Sequence, residues 1–247
     1  MGTGFLVADS EYHRYIVTAK HVIRSKETGE YFDHVYFRKN ILSDFGKCVA
    51  SDDKYELTLK SKDKVLIFEH SDSDVDLVLI PLGNMIIDEN LTIHNPKGIE
   101  IDETFAFSGI ATRAIMDTLD IRDGKKVQIV GFSFQSAQKP QFHISRFGHI
   151  ALYAKEKMRL NWKVELADTA LFKPITADWI VIDIIHRGGD SGAPVFAILP
   201  RAEKAWIIGI VQGGSEMKEF CLAIPSYYLT DLLESAKKHW AKPQGRE

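Results

Sequence analysis

Apolar residues in this chain gather in short β-branched and aromatic runs, and polar clusters rich in glycine, asparagine, aspartate and serine separate them. That texture predicts strands rather than helices for most of the chain. Residues 4–8 (Gly-Phe-Leu-Val-Ala) and 15–19 (Tyr-Ile-Val-Thr-Ala) flank the polar Asp9-Ser10-Glu11 and predict a hairpin. Further strands are expected at 34–38, 55–59, 65–69 and 77–81, and later at 126–132, 143–151, 163–167, 179–185, 195–198, 205–214 and 220–225. Between Pro81 and Phe105 the pattern weakens, and Gly83, Asn84 and Asn95-Pro96-Lys97-Gly98 mark loops. This stretch divides the chain into an N-terminal unit, 1–95, and a C-terminal unit, 96–247, of similar strand-and-turn texture. Residues 113–120 fit either a helix or irregular chain. Near the end the period changes. Leu229, Leu232, Leu233 and Ala236 fall on one helical stripe, with Asp231 and Glu234 early and Lys237-Lys238 late, as the helix dipole prefers. A helix over 226–239 follows, with Ser226 as its N-cap and 242–247 as a tail.

Bulk properties narrow the class. With 247 residues, 45% hydrophobic and 26% charged, the chain can build one generous core or two joined ones. Its 31 basic and 34 acidic residues give a net charge of −3, and no basic run reads as a nucleic-acid footprint. No apolar stretch approaches the roughly 20 residues that cross a bilayer, so no membrane partner is expected. Met1-Gly2-Thr3-Gly4 lacks the pattern of a signal peptide, and Leu6 stands where myristoylation wants Ser or Thr. Two cysteines, Cys48 and Cys221, read as packing residues of a reducing compartment, which sets the expectation of a cytoplasmic protein. The nine histidines show no spacing that reads as a metal site, and no cofactor is expected.

Candidate chemistry centres on Arg187-Gly188-Gly189-Asp190-Ser191-Gly192-Ala193-Pro194-Val195, where glycines surround one serine. A hydroxyl is a poor nucleophile and needs a base for its proton and donors for the oxyanion it creates. Gly189 has no side chain to obstruct an inward-turned N–H, and the Ser191 N–H can face the same point, so the stretch reads as an oxyanion hole. The plainer reading is a tight loop between strands. His21, just past the second strand of the hairpin, is either a satisfied structural residue or, with Ser191 in view, a general base. Asp72, Asp74 and Asp76 precede the 77–81 strand, and Asp76, which adjoins it, is best placed to be buried and aimed. A buried carboxylate needs a partner such as an imidazole N–H. Asp72 and Asp74 read as a solvated turn.

The order His21, Asp76, Ser191 resembles that of the trypsin-like (chymotrypsin-fold) serine peptidases. Thr18-Ala19-Lys20-His21-Val22 is similar to the family's histidine motif, Asp76-Leu77-Val78-Leu79-Ile80 to its aspartate motif, and Gly189-Asp190-Ser191-Gly192-Ala193-Pro194 to its serine motif. Ala223-Ile224-Pro225 before a helix is similar to the ending of short bacterial and Deg-type members. The resemblance covers roughly residues 2–240 and implies an all-β chain of two six-stranded antiparallel barrels with a C-terminal helix. It implies a serine endopeptidase in which Ser191 forms the acyl-enzyme, His21 is the general base and Asp76 the orienting acid, with the N–H groups of Gly189 and Ser191 as the oxyanion hole. Gln212, Gly213 and Gly214 would pair with a peptide as an added strand.

Departures from the family carry expectations too. Ile185 stands six residues before the nucleophile, where trypsin-like enzymes carry the acid that selects Lys or Arg, so no basic preference is expected. The open walls at Gly213 and Gly214 favour an apolar side chain, whereas His186 would make the pocket polar. The separation of Asp76 from Ser191 is long for the family and places insertions around 84–104 and 110–125. In animal members the aspartate at the Asp190 position pairs with an N-terminus released from a zymogen. Here the first strand begins within a few residues of Met1, so activation by cleavage is not expected and Asp190 needs another partner. The expected partners are a peptide or protein substrate and, if the 187–190 loop must be ordered, an activating protein. Two other readings stand beside this one. An α/β-hydrolase needs Gly-x-Ser-x-Gly with acid and histidine later in the chain, but Ala193 replaces the last glycine and only His239 follows Ser191. A peptidase fold kept for peptide binding, latent or inactive, would retain the same fold, though intact motifs argue against the inactive form.

Overall fold

In the second half of the chain the apolar runs find one another as a closed, wholly antiparallel barrel. Its strands run in the order Lys126–Gly131, Ile144–Leu166, Thr169–Asp183, Cys221–Pro225, Trp206–Gly214 and Pro194–Ala197, the last pairing back onto the first. The structure, a computed structural model, describes residues 2–37, 40–42, 48–50, 55–61, 64–82, 84–88, 91–94, 105–106, 109–132, 144–166, 169–199, 205–214 and 219–239. In the first half, Phe105–Ala106, Phe5–Ala8, Arg14–Thr18, Val78–Leu82 and Phe68–Glu69 form one sheet in that order, joined by a ribbon of His34–Phe37 with Tyr55–Thr58. The all-β design with a terminal helix is what the chain adopts, with the second half closed as a barrel and the first built on a sheet in which Phe105–Ala106 pairs in parallel with Phe5–Ala8. Among the described residues the second barrel closes on six strands and the first shows five in one sheet. The division expected at residue 95 and the tail at 242–247 lie outside the described residues.

The two faces of the first sheet explain its uninterrupted apolar runs. Side chains alternate along a strand. Tyr15, Val17, Leu77 and Leu79 pack into a large cluster shared with the second barrel, including Val127, Ile129 and Trp179. Ile16, Val78, Ile80 and Leu82 face the other way, into a smaller cluster with Ile23, Tyr31, Leu57 and Leu59. A strand buried on both faces reads as continuous hydrophobicity rather than alternation.

Three elements differ from expectation. The strands expected at 143–151 and 163–167 are one strand, Ile144–Leu166, whose hairpin partner Thr169–Asp183 begins well before residue 179. The stretch between them hid this because Lys155, Glu156, Lys157 and Arg159 are exposed, which removes the apolar alternation that marks a strand. The undecided 113–120 stretch contains a helix, Arg113–Thr118, whose N-cap Thr112 accepts a hydrogen bond from Ile115 N at 3.3 Å. The terminal helix, Tyr227–Lys237, is present, but the Ser226 hydroxyl does not cap it. That hydroxyl is buried and donates instead to the carbonyl of Ala111 at 2.6 Å. The helix also reaches the first half, where the His70 and Tyr228 rings meet edge to face at 5.3 Å. Among the described residues no helix is long and apolar enough to cross a membrane.

Candidate active site

Strand register brings His21 and Asp76 together. Val78 pairs with Thr18 in the antiparallel ladder, so the residues just before Val78 lie beside those just after Thr18. After Thr18 the chain turns through a short 3₁₀ segment, Lys20–Val22, closed by hydrogen bonds from Val22 N to Ala19 O and from Ile23 N to Lys20 O, both 3.1 Å. The Asp76 carboxylate then takes two groups from one residue: His21 N at 3.1 Å on Oδ1 and His21 Nδ1 at 2.5 Å on Oδ2. Burial alone would raise the Asp76 carboxyl, but the His21 charge, the two hydrogen bonds and nearby Lys20 outweigh it and hold it below the usual carboxylate range. An ionised carboxylate only accepts, so Nδ1 carries the ring proton and Nε2 of the neutral ring is left as an acceptor. The imidazole remains accessible, with 42% of its side-chain surface exposed against 18% for Asp76.

Ser191 follows a tight turn in which Asp190 N donates to Arg187 O at 3.2 Å. Gly189 sits there at φ +98°, a conformation that favours glycine. The amides of Gly189 and Ser191 donate to no described residue. The Ser191 hydroxyl donates to the carbonyl of Gln212 at 3.1 Å. Gln212 is buried, and it stands at a β-bulge, because Val211 pairs with Ala223 while Gly213 pairs with the adjacent Leu222. A bulge turns one residue out of register, and here it aims the Gln212 carbonyl at the serine.

The two halves meet at this loop. Gly192, at φ +87°, lies so close to the first half that a Cβ there would fall 2.1 Å from Thr3 O and 2.6 Å from Thr18 Oγ1. Thr18 Oγ1 donates to Thr3 O at 2.8 Å, and Thr3 N donates to Ser191 O at 2.8 Å. The histidine strand and the serine loop are thus joined through Thr3.

Of the residues expected to line a specificity pocket, Ile185 lies past the end of its strand and is 61% exposed. His186 lies across Gly214, where a Cβ would fall 2.5 Å from the His186 Cβ, so the imidazole fills the space over that glycine instead of leaving it open. Gly213 is buried in the ladder opposite Leu222. Asp72 and Asp74, read as a solvated turn, reach the other half: Asp72 pairs with Lys157 at 2.9 Å and Asp74 accepts from Thr176 N at 3.2 Å. Cys221 is free and buried, and burial pushes its thiol well above the usual range.

Sequence reasoning left Asp190 without a partner. Its carboxylate is fully buried and forms an ion pair with Arg146, whose side chain is 16% exposed. One signal was available: Arg146 shares the inward parity of Gly148 and Ile150, the two buried positions that follow it in the strand. A cation on that face calls for a buried anion. Thr3 gave no such signal.

No protein-family model and no curated protein matches the sequence. Solved structures do match. The chain is similar to Rv3671c from Mycobacterium tuberculosis H37Rv, in the inactive form of a serine-to-alanine mutant. The identity is 17% and the TM-score 0.52, covering 99% of this chain and 84% of that one. It is also similar to the thermostable serine protease AL20 from an extremophilic microorganism, at 13% identity and a TM-score of 0.53, covering 96% of this chain and 90% of that one. The chain has the trypsin-like serine peptidase fold.

Proposed function

We propose that this chain is a serine endopeptidase. Ser191 attacks a peptide carbonyl while His21 Nε2 takes its proton, and the protonated His21 then delivers that proton to the leaving amine. Asp76 keeps the proton on Nδ1 and stabilises the imidazolium. The amides of Gly189 and Ser191 receive the oxyanion, at about 3 kcal/mol per donor. Water repeats the sequence on the acyl-enzyme. The observation that carries this reading is the double grip of Asp76 on His21, through the backbone N–H and Nδ1 together, which orients an accessible ring. A peptide substrate would lie along Gln212, Gly213 and Gly214 as an added strand. Its side chain would meet Ile185 and His186 rather than an acid, so cleavage after Lys or Arg is not expected.

A second reading has one observation in its favour. The Ser191 hydroxyl donates to Gln212 O, which is a resting orientation, and a latent peptide-binding module would keep it there. Attack requires that the hydroxyl leave Gln212 O and donate to His21 Nε2 instead, an exchange of hydrogen bonds of about 1 kcal/mol each that substrate binding can supply.

Exposure to a fluorophosphonate followed by peptide mapping separates the two readings. A single adduct at Ser191, absent from Ser191→Ala and strongly slowed in His21→Ala, is the expected result. Folded wild type that stays unlabelled, or is labelled elsewhere, would sink the peptidase reading.

A further inference from the structure

We propose that the cleft between the terminal helix, Tyr227–Lys237, and the hairpin strands that carry Lys157 and Asp178 is a second binding site, and that it takes a basic segment of polypeptide. The cationic side chain of that segment enters beside Asp231 and Glu234, and one of its backbone carbonyls accepts from the Tyr228 hydroxyl. The cleft has a volume of about 560 Å³. That lies within the range of ligand sites, about 300–1,000 Å³. None of the residues placed at the Ser191 site lines it, so its occupancy does not depend on what Ser191 does.

The cations of the cleft are already committed. Arg113 Nη2 donates to the buried Asp178 carboxylate at 2.9 Å, and its guanidinium lies over the Tyr227 ring, 4.0 Å from the centroid. The Tyr227 hydroxyl donates to the same carboxylate. Lys157 pairs with Asp72 at 2.9 Å. Two carboxylates are left over. Asp231 and Glu234, both exposed on the rim, form no hydrogen bond or ion pair with a described residue, and Lys237, further along the helix, is held by Glu11 at 3.0 Å. Three residues apart, Asp231 and Glu234 lie on one face of the helix, where like charges oppose each other and a cation between them relieves the repulsion. Counting Asp72, four carboxylates face two cations, so the cleft carries net negative charge and favours a cationic partner.

A second, independent feature of the floor asks for a hydrogen-bond acceptor. Tyr228 lines the cleft and is 7% exposed. Its hydroxyl accepts from Asp178 N at 3.3 Å and donates to no described residue. A buried O–H without an acceptor is costly, and an acceptor brought by a ligand removes the cost. A bare inorganic cation supplies none. An anion would supply one but would meet the two uncommitted carboxylates. A basic stretch of polypeptide brings both groups together, a cation on a flexible stem and carbonyls along its backbone.

The test titrates the full chain carrying Ser191→Ala, so that no acyl-enzyme can form, with the blocked tripeptide acetyl-Gly-Arg-Gly-amide and with its citrulline analogue, which has nearly the same shape and no charge. Calorimetry at low salt reads the affinities. The arginine peptide is expected to bind at least about fivefold more tightly, because its cation has two carboxylates to meet. Asp231→Asn combined with Glu234→Gln is expected to abolish that difference. Glu27→Gln with Glu30→Gln removes the same charge from a turn outside the cleft and is expected to leave both affinities within about twofold. Tyr228→Phe is expected to weaken both peptides by about fivefold, the worth of one hydrogen bond. Thermal unfolding accompanies each variant, and if Tyr228→Phe does not fold, the pair of exposed carboxylates decides. No binding at about 10 mM peptide, equal affinity for the two peptides, or an equal fall in the Glu27 and Glu30 variant would each overturn the proposal. So would a preference for arginine that survives Asp231→Asn with Glu234→Gln, since the peptide would then sit elsewhere, the Ser191 cleft included.

Discussion

Asp76 does two things with one carboxylate: it fixes the His21 backbone with one oxygen and the His21 ring with the other. An amide in its place could keep the shape but would offer an N–H to Nδ1, which favours the tautomer with its proton on Nε2, the wrong nitrogen for a base. Asp76→Asn is therefore expected to lower kcat by about four orders of magnitude with KM changed only a few-fold. Steady-state kinetics on a peptide ester would check this. The same residue makes a stability prediction. Its folded carboxyl lies below the usual carboxylate range, so the unfolded state binds the proton more readily. Its stabilising contribution is full above the unfolded value near 4 and is lost as pH falls through the lower folded one. Urea unfolding of wild type should lose more stability between pH 5 and acid extremes than that of Asp76→Asn. His21 and Asp76 were legible in sequence because each adjoins a clear strand. The 2.5 Å contact between them was not, since it depends on the pairing of Val78 with Thr18.

Elements were legible wherever one period dominated. The terminal helix follows from its i, i+3, i+4, i+7 stripe, and Leu229, Leu232, Leu233 and Ala236 are all buried. Its start shows the limit of local rules. A serine before an apolar stripe is the common N-cap signal, yet Ser226 is buried against the segment before Arg113–Thr118, and its hydroxyl serves the Ala111 carbonyl. Ser226→Ala should leave that carbonyl without its partner and destabilise the fold by about 1–3 kcal/mol. Ser226→Asp, which a capping role would welcome, should be worse because it buries a carboxylate beside a carbonyl oxygen. Chemical denaturation of the two variants distinguishes these roles. The 144–166 strand was illegible for the opposite reason: its exposed charged positions gave no alternation, and hydrogen bonding to its hairpin partner, not side-chain pattern, makes it a strand.

At the scale of the molecule, the halves are joined by contacts that have no sequence signature. Thr3 reaches the serine loop, Asp74 takes an amide from the long hairpin, and His70 packs on the terminal helix at Tyr228. His70 titrates as part of this joint. Its Nδ1 accepts from Asp72 N at 3.0 Å, a bond open only to an unprotonated Nδ1, and burial holds its pKa below the ordinary value against the opposing influence of Asp72 and Asp231. The contribution of the joint is full above the unfolded value near 6.5 and is lost as pH falls through the lower folded value. Wild type should therefore lose more stability between about pH 7 and 5 than His70→Asn, which keeps an acceptor but cannot titrate. Parallel denaturation curves across that window would refute a role for His70.

Periodicity and turn chemistry are local, so the order of amino acids was enough for the strands, the terminal helix, the glycine-lined serine and the three chemical groups in their order along the chain. Which buried group faces which was left to barrel closure and strand register. Arg146 and Asp190 are 44 positions apart and meet because one strand of the barrel carries the arginine inward beside the turn before Ser191. The bulge at Gln212 and the reach of Thr3 to the serine loop are decisions of the same kind. A buried charge takes whatever partner the closed structure brings within reach, and that choice is written in no single stretch of the chain.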